Sequence, residues 1–111
     1  MSEKTQIIGR KFVFDFGDDA KYELNFVAED KLEVTVVADS SYPAGTLNKF
    51  DITRTQLRPD LYLVTWVEDD TGNTVTHVQD YANLTAYTSI TDLASRGFWN
   101  LRGRIIPVTG Q

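Results

Sequence analysis

Apolar and polar residues alternate with a period of two along most of this chain, and no stretch shows the period of an amphipathic helix. The pattern opens at residues 11–16, with Phe12, Phe14 and Phe16 on one side and Lys11, Val13 and Asp15 on the other. Gly17-Asp18-Asp19 reads as a turn, because glycine tolerates positive φ and aspartate can bond its own backbone. Next, Tyr22, Leu24 and Phe26 alternate with Lys21, Glu23 and Asn25, up to a turn at Glu29-Asp30-Lys31. A third run sets Leu32, Val34, Val36 and Ala38 against Glu33, Thr35 and Val37. Three strands joined in this way predict a meander.

Residues 40–46, SSYPAGT, break the alternation with a proline, a glycine and two serines, and read as a longer loop. A fourth strand follows, with Phe50 and Ile52 facing in and Asp51, Thr53 and Thr55 facing out. The face of Arg54 depends on the length of the next turn, read as Leu57-Arg58-Pro59-Asp60.

Residues 61–91 carry the strongest signal, because two tight turns there fix a register. With Asp70 and Thr71 at the centre of the first, Tyr62 lies opposite Gln79, Val64 opposite His77, Trp66 opposite Val75 and Glu68 opposite Asn73. A slip of one residue would turn every side chain to the other face. The second turn, centred on Ala82-Asn83, places His77 opposite Thr88 and Val75 opposite Ile90, which is the same parity. One face thus gathers Tyr62, Val64, Trp66, Glu68, Val75, His77, Gln79, Ala86 and Ile90, while the other carries Thr65, Thr76, Thr85, Ser89 and Thr91. Residues 91–97 make a short connection with one helical turn at 92–95. The last strand then runs from about Phe98 to Val108, with Gly103 as a bulge or bend and Pro107 marking its end.

About eight sequential strands without covering helices predict an all-β, up-and-down antiparallel barrel that pairs its own edges. A two-sheet sandwich is the other architecture the pattern allows. The loop at 40–46 would then cover one barrel mouth. A barrel of this size has room for a filled core or for one small ligand.

Composition narrows the function. The 111 residues suit one domain spanning 1–111 with a single core, and 41% apolar content is ordinary for a globular chain. A net charge of −5 argues against binding a phosphate backbone, so no nucleic acid is expected. There is no cysteine, hence no disulfide, thiolate metal site or cysteine nucleophile. The polar opening MSEKTQIIGRKF lacks a signal peptide's apolar core, and no apolar run is long enough to span a bilayer. A cytoplasmic protein with short frayed tails, no membrane partner and no cofactor is the expectation.

His77, the only histidine, sits mid-strand on the predicted inner face. It reads either as an acid–base or ligand contact or as a core histidine bonded to Thr88 or Tyr62. Glu68 follows Trp66 on the same face, where a carboxylate beside an indole suits proton transfer; the plainer reading is a residue of the solvated rim beside Asn73. Phe14, Phe16, Tyr22, Phe26, Tyr62 and Trp66 read as core or as cavity lining. Arg54, if inward, could hold a ligand carboxylate. One histidine without cysteine or clustered carboxylates makes a metal site improbable. Asp18-Asp19 and Asp69-Asp70 are turn residues rather than a calcium loop. No phosphate-cradling loop, Gly-x-Ser-x-Gly or dinucleotide fingerprint occurs.

The run LYLVTWVEDDTGNTVTHVQDY resembles the corresponding hairpin of MoaF-like proteins. It is more distantly similar to the Ser-Trp-Thr-Glu-x-Thr-Gly-Thr stretch of phenolic acid decarboxylases. Both are lipocalin-like (calycin) barrels, and the likeness extends to the opening GRKFVFDFGDDAKYELNF and the closing GFWNLRGRI. Those decarboxylases work without a cofactor, through a glutamate in the hairpin, an arginine from an earlier strand and a tyrosine pair on the first strand. Glu68 matches the glutamate; Phe14 and Phe16 stand at the tyrosine positions, and no arginine stands near residues 45–47. The resemblance implies a fold and a pocket.

Three functions follow. The first is a binding barrel for a compact, partly aromatic or apolar small molecule, held by Phe14, Phe16, Tyr22, Tyr62, Trp66 and Gln79, with Glu68 and His77 as polar contacts. The second is a cofactor-independent decarboxylase, isomerase or cyclase in which Glu68 and His77 are catalytic. The third is an interaction protein with a filled barrel, with Tyr87, Phe98 and Arg102 on the outer face hinting at a homodimer.

Overall fold

The structure, a computed structural model, describes residues 7–68 and 71–108. Eight strands follow in chain order: β1 (Lys11–Asp15), β2 (Ala20–Ala28), β3 (Lys31–Asp39), β4 (Leu47–Arg58), β5 (Leu61–Glu68), β6 (Asn73–Asp80), β7 (Thr85–Asp92) and β8 (Gly97–Pro107). Each pairs antiparallel with the next, and β8 returns to β1 through Phe14↔Ile105 and its neighbours, closing an up-and-down barrel. Closure pairs the edge strands with each other, and among the described residues there is no helix to cover them. No helix of the described residues is long and apolar enough to cross a membrane.

The β5–β7 register is the one expected. Trp66 pairs with Val75, Val64 with His77 and Tyr62 with Gln79, while His77 pairs with Thr88 and Val75 with Ile90. Asp69 and Asp70 in the first turn, and the two expected tails at residues 1–6 and 109–111, lie outside the described residues.

Four local readings change. In β3 the alternation holds only through Val36. A register shift pairs Tyr22 with Val36 and Lys21 with Ala38, so Ala38 leaves the inward row and Asp39 takes up a position opposite Ala20. β4 keeps pairing with β5 through Arg58, past a shift at Gln56, which shrinks the turn to Pro59-Asp60, with Asp60 at φ 62°. At residues 92–95 there is no helical turn: β7 runs to Asp92 and residues 93–96 form a tight turn. Gly103 is not a bulge, for the β7–β8 ladder passes through Ala86↔Gly103 without a shift. It is a close approach: a Cβ there would overlap the carbonyl oxygen of Asp15.

The barrel is filled at one end only. At the end carrying the turns near residues 29–30, 59–60 and 81–84, Ile7, Phe12, Phe26, Leu32, Tyr62, Tyr81 and Ile105 are all buried. Phe12 and Tyr62 both meet Tyr81 edge-on, with ring centroids 5.0 and 5.9 Å apart. The N-terminal segment caps this end, with Gly9 N–H donating to the Phe26 carbonyl at 2.7 Å. Arg54 points inward here, its guanidinium 4.0 Å from the centre of the Tyr62 ring.

Candidate functional site

At the opposite end the barrel holds a cavity of about 480 Å³. Its floor and walls are aliphatic and aromatic: Leu24, Val34, Val36, Val75, Ile90 and Leu101, with Phe16, Tyr22, Phe50 and Trp66. Its rim is formed by Asp19, Ser40, Ser41, Tyr42, Thr71, Asp92 and Trp99, so the loop at 40–46 does border the mouth. Asp39 organises that loop. One carboxylate oxygen accepts the backbone N–H groups of Ser41 and Tyr42 at 2.7 and 3.2 Å, and the other accepts the Tyr22 hydroxyl.

The expected site residues divide by depth. Phe16, Tyr22, Trp66, Glu68 and His77 line the cavity. Phe14, Tyr62 and Gln79 are buried on the same inner face but do not border it. Period-two alternation specifies the face of a residue and not its height along the barrel axis. Arg54 likewise lies at the filled end, away from the cavity. Asp39, Asn48, Phe50, Thr88, Trp99 and Leu101 are among the lining residues that the sequence does not mark as site residues. Trp99 pairs with Ile90, so its inward parity was readable once the length of the preceding turn was known. Asp39 was not readable, because only the irregularity in β3 brings it to the mouth.

His77 is bonded neither to Thr88 nor to Tyr62 but to Gln79, with Nδ1 and the amide Nε2 3.1 Å apart. Gln79 Oε1 accepts the Tyr81 hydroxyl at 2.7 Å, making a buried relay that runs from the filled end up to the cavity. An amide nitrogen only donates, so Nδ1 is the acceptor and the neutral ring carries its proton on Nε2. Burial pushes the imidazole down from 6.5 to about 3, which keeps it neutral. Phe14, Phe16 and Trp66 surround the ring, with centroids 5.5, 5.7 and 4.9 Å away. Burial also raises the Tyr22 hydroxyl, helped by its bond to Asp39 and by the charges of Asp39 and Glu68. At β5's end, Glu68 Oε1 accepts the Thr71 hydroxyl at 3.3 Å.

Three buried polar atoms of the lining have no hydrogen-bond partner within the protein: Trp66 Nε1, Asn73 Oδ1 and Thr88 Oγ1. Trp66 is only 8% and Thr88 only 3% exposed, so water outside the barrel does not satisfy them. Buried polar groups are ordinarily paired, so three unpaired ones around one cavity stand out from the rest of the barrel wall. Among the described residues no cluster of histidine, cysteine or carboxylates suits a metal ion.

Comparison with known proteins agrees with this architecture. A solved structure from Burkholderia vietnamiensis, of a protein provisionally described as a beta-lactamase, superposes with a TM-score of 0.81. It is 23% identical and the match covers 96% of this chain and 100% of that one, a likeness that establishes the shared fold alone. No curated protein matches at a significant level. The MoaF-like family matches residues 8–106, from the segment that caps the filled end almost to the end of β8, and this eight-stranded barrel belongs to the MoaF-like family.

Proposed function

We propose that the protein binds a compact, partly aromatic small molecule in the open half of its barrel. The observation that carries this reading is the cavity of about 480 Å³ with the unpaired Trp66 Nε1, Asn73 Oδ1 and Thr88 Oγ1 in its wall. Its volume falls within the range usual for small-molecule sites, and its mix of apolar wall and few polar atoms is what such sites share. His77 acts here as a fixed hydrogen-bond donor through Nε2 rather than as a proton carrier, since a group titrating near 3 is poorly matched to neutral pH.

Titrating a panel of single- and double-ring aromatic compounds against labelled protein tests the reading. A ligand of the cavity shifts the NMR resonances of the Trp66 indole N–H and the Thr88 amide, and Val34→Phe, which fills the floor, removes the response. Shifts confined to outward residues such as Tyr87, or a response untouched by Val34→Phe, would sink it.

One observation favours a second reading, a cofactor-independent enzyme: Glu68 lines the same cavity, and its charge reaches the Tyr22 hydroxyl. Under it, Glu68→Gln abolishes turnover of a bound compound while a neutral ligand still binds. Hydrolysis of β-lactams by the serine route draws no support from the chain, which contains no Ser-x-x-Lys.

A further inference from the structure

The charge around the cavity is of one sign. Asp19, Asp39, Glu68 and Asp92 all border it, and among the described residues no lysine or arginine does. The imidazole in the wall, His77, is held neutral by burial. Basic residues are not scarce in the chain, which has 11 against 16 acids, yet several are engaged elsewhere: Lys31 with Asp51, Lys49 with Glu33 and Arg104 with Asp15, while Arg10, Arg54 and Arg102 lie over the rings of Phe12, Tyr62 and Tyr87.

Depth separates charge from neutral polarity. The carboxylates stand at the mouth, with Asp19 exposed and Asp39, Glu68 and Asp92 partly so. The unpaired atoms of Trp66 and Thr88 lie deeper and carry no charge. An anion entering this cavity would meet four like charges and no lysine or arginine among the described lining residues, and burying an unpaired charge is costly. A cation at the mouth would keep part of its hydration while the carboxylates attract it. The half-exposed indole of Trp99 offers an aromatic face at the same level.

Resting on the binding function proposed above, we infer that the ligand is an aromatic amine. Its cationic end lies at the rim among Asp39, Glu68 and Asp92, and its ring lies in the aromatic interior. A hydrogen-bonding group on the ring reaches Trp66 Nε1 and Thr88 Oγ1. Aromatic carboxylates are excluded by the same rim. The carboxylate-binding chemistry of the phenolic acid decarboxylases is therefore not that of this cavity.

Calorimetric titration of the full chain with tryptamine, tryptophol and indole-3-propionate tests this, because the three share a ring and linker and differ in terminal charge. Tryptamine should bind at least about tenfold more tightly than indole-3-propionate, with tryptophol between them, and raising salt from about 0.05 to about 0.5 M should narrow the gap. Glu68→Gln and Asp92→Asn should each narrow it as well; Asp92 is the safer variant should Glu68→Gln disturb the hairpin. Glu29→Gln, in an exposed turn at the filled end, changes net charge equally and should leave the gap intact. Equal affinities, or tighter binding of the carboxylate, overturn the inference while leaving the binding function standing. A gap that Glu29→Gln narrows as much as Asp92→Asn assigns the effect to net charge and also overturns it. Failure of tryptamine to bind overturns the inference as well, while the panel titration above decides the binding function separately.

Discussion

Gln79 holds His77 by its Nδ1, with the amide nitrogen 3.1 Å away, while its own amide oxygen takes the Tyr81 hydroxyl at 2.7 Å. All three side chains are at least nine-tenths buried, so none has water as an alternative partner. The relay converts a titratable ring into a donor of fixed direction, with Nδ1 occupied below and Nε2 remaining for the cavity. Nitrogen-15 NMR at neutral pH should find the proton on Nε2. A proton on Nδ1 would mean that the amide is turned over and the relay runs the other way.

Removing the middle of this relay strands both ends. Gln79→Leu keeps much of the volume but leaves a buried phenol and a buried imidazole nitrogen unpaired, which should cost about 2–4 kcal/mol. Urea unfolding measures it. A loss below about 0.5 kcal/mol would show that the two groups find other partners.

Protonation of His77 opposes folding. The unfolded chain takes up this proton near 6.5, whereas the folded chain does not until about 3. Between those values the unfolded state binds one more proton, so stability from this group is complete above pH 6.5 and is lost as pH falls. The slope should be about 1.4 kcal/mol for each pH unit. The clean window is pH 6.5 to about 5, above the titration of ordinary carboxylates. His77→Phe should flatten the slope there; an unchanged slope would place its origin in other groups.

Two glycines make opposite predictions. At Gly103 an added Cβ meets backbone, the Asp15 carbonyl, where β8 runs beside the end of β1. Neither strand can withdraw without breaking the ladder, so Gly103→Ala should destabilise by about 1–3 kcal/mol, read as a lowered Tm.

At Gly97 the added Cβ meets only the far end of the Trp99 indole, which folds back over it. That ring can swing away, so Gly97→Ala should change stability by less than about 1 kcal/mol. It should also red-shift the Trp99 emission and alter access to the cavity. A large loss of stability with unchanged emission would mean that the indole stays and the backbone yields.

Much of the fold was legible because a strand's period is two and a tight turn fixes register. The Trp66↔Val75 and His77↔Thr88 pairs followed from counting residues out from two turns, and with them the inner face carrying Glu68. Barrel closure followed from eight short strands with no helix to cover a second sheet. The inward facing of Phe16, Tyr22, Trp66, Glu68 and His77 came from the same alternation.

Tertiary structure decided the rest. Phe14, Tyr62 and Gln79 share the inner face with the cavity residues, yet they are buried without bordering the cavity, because height in a barrel depends on how all eight strands are staggered. Asp39 reaches the mouth only through a shift in the β2–β3 ladder that no local pattern announces. Gly103 read as a bend from its neighbours in sequence; the neighbour that requires it, Asp15, is brought alongside by closure of the barrel. The sequence by itself determined which side of each strand is buried, since alternation is a property of consecutive residues. Only the closed barrel decided which buried positions are packed solid and which surround space, since that depends on residues meeting from strands far apart in the chain.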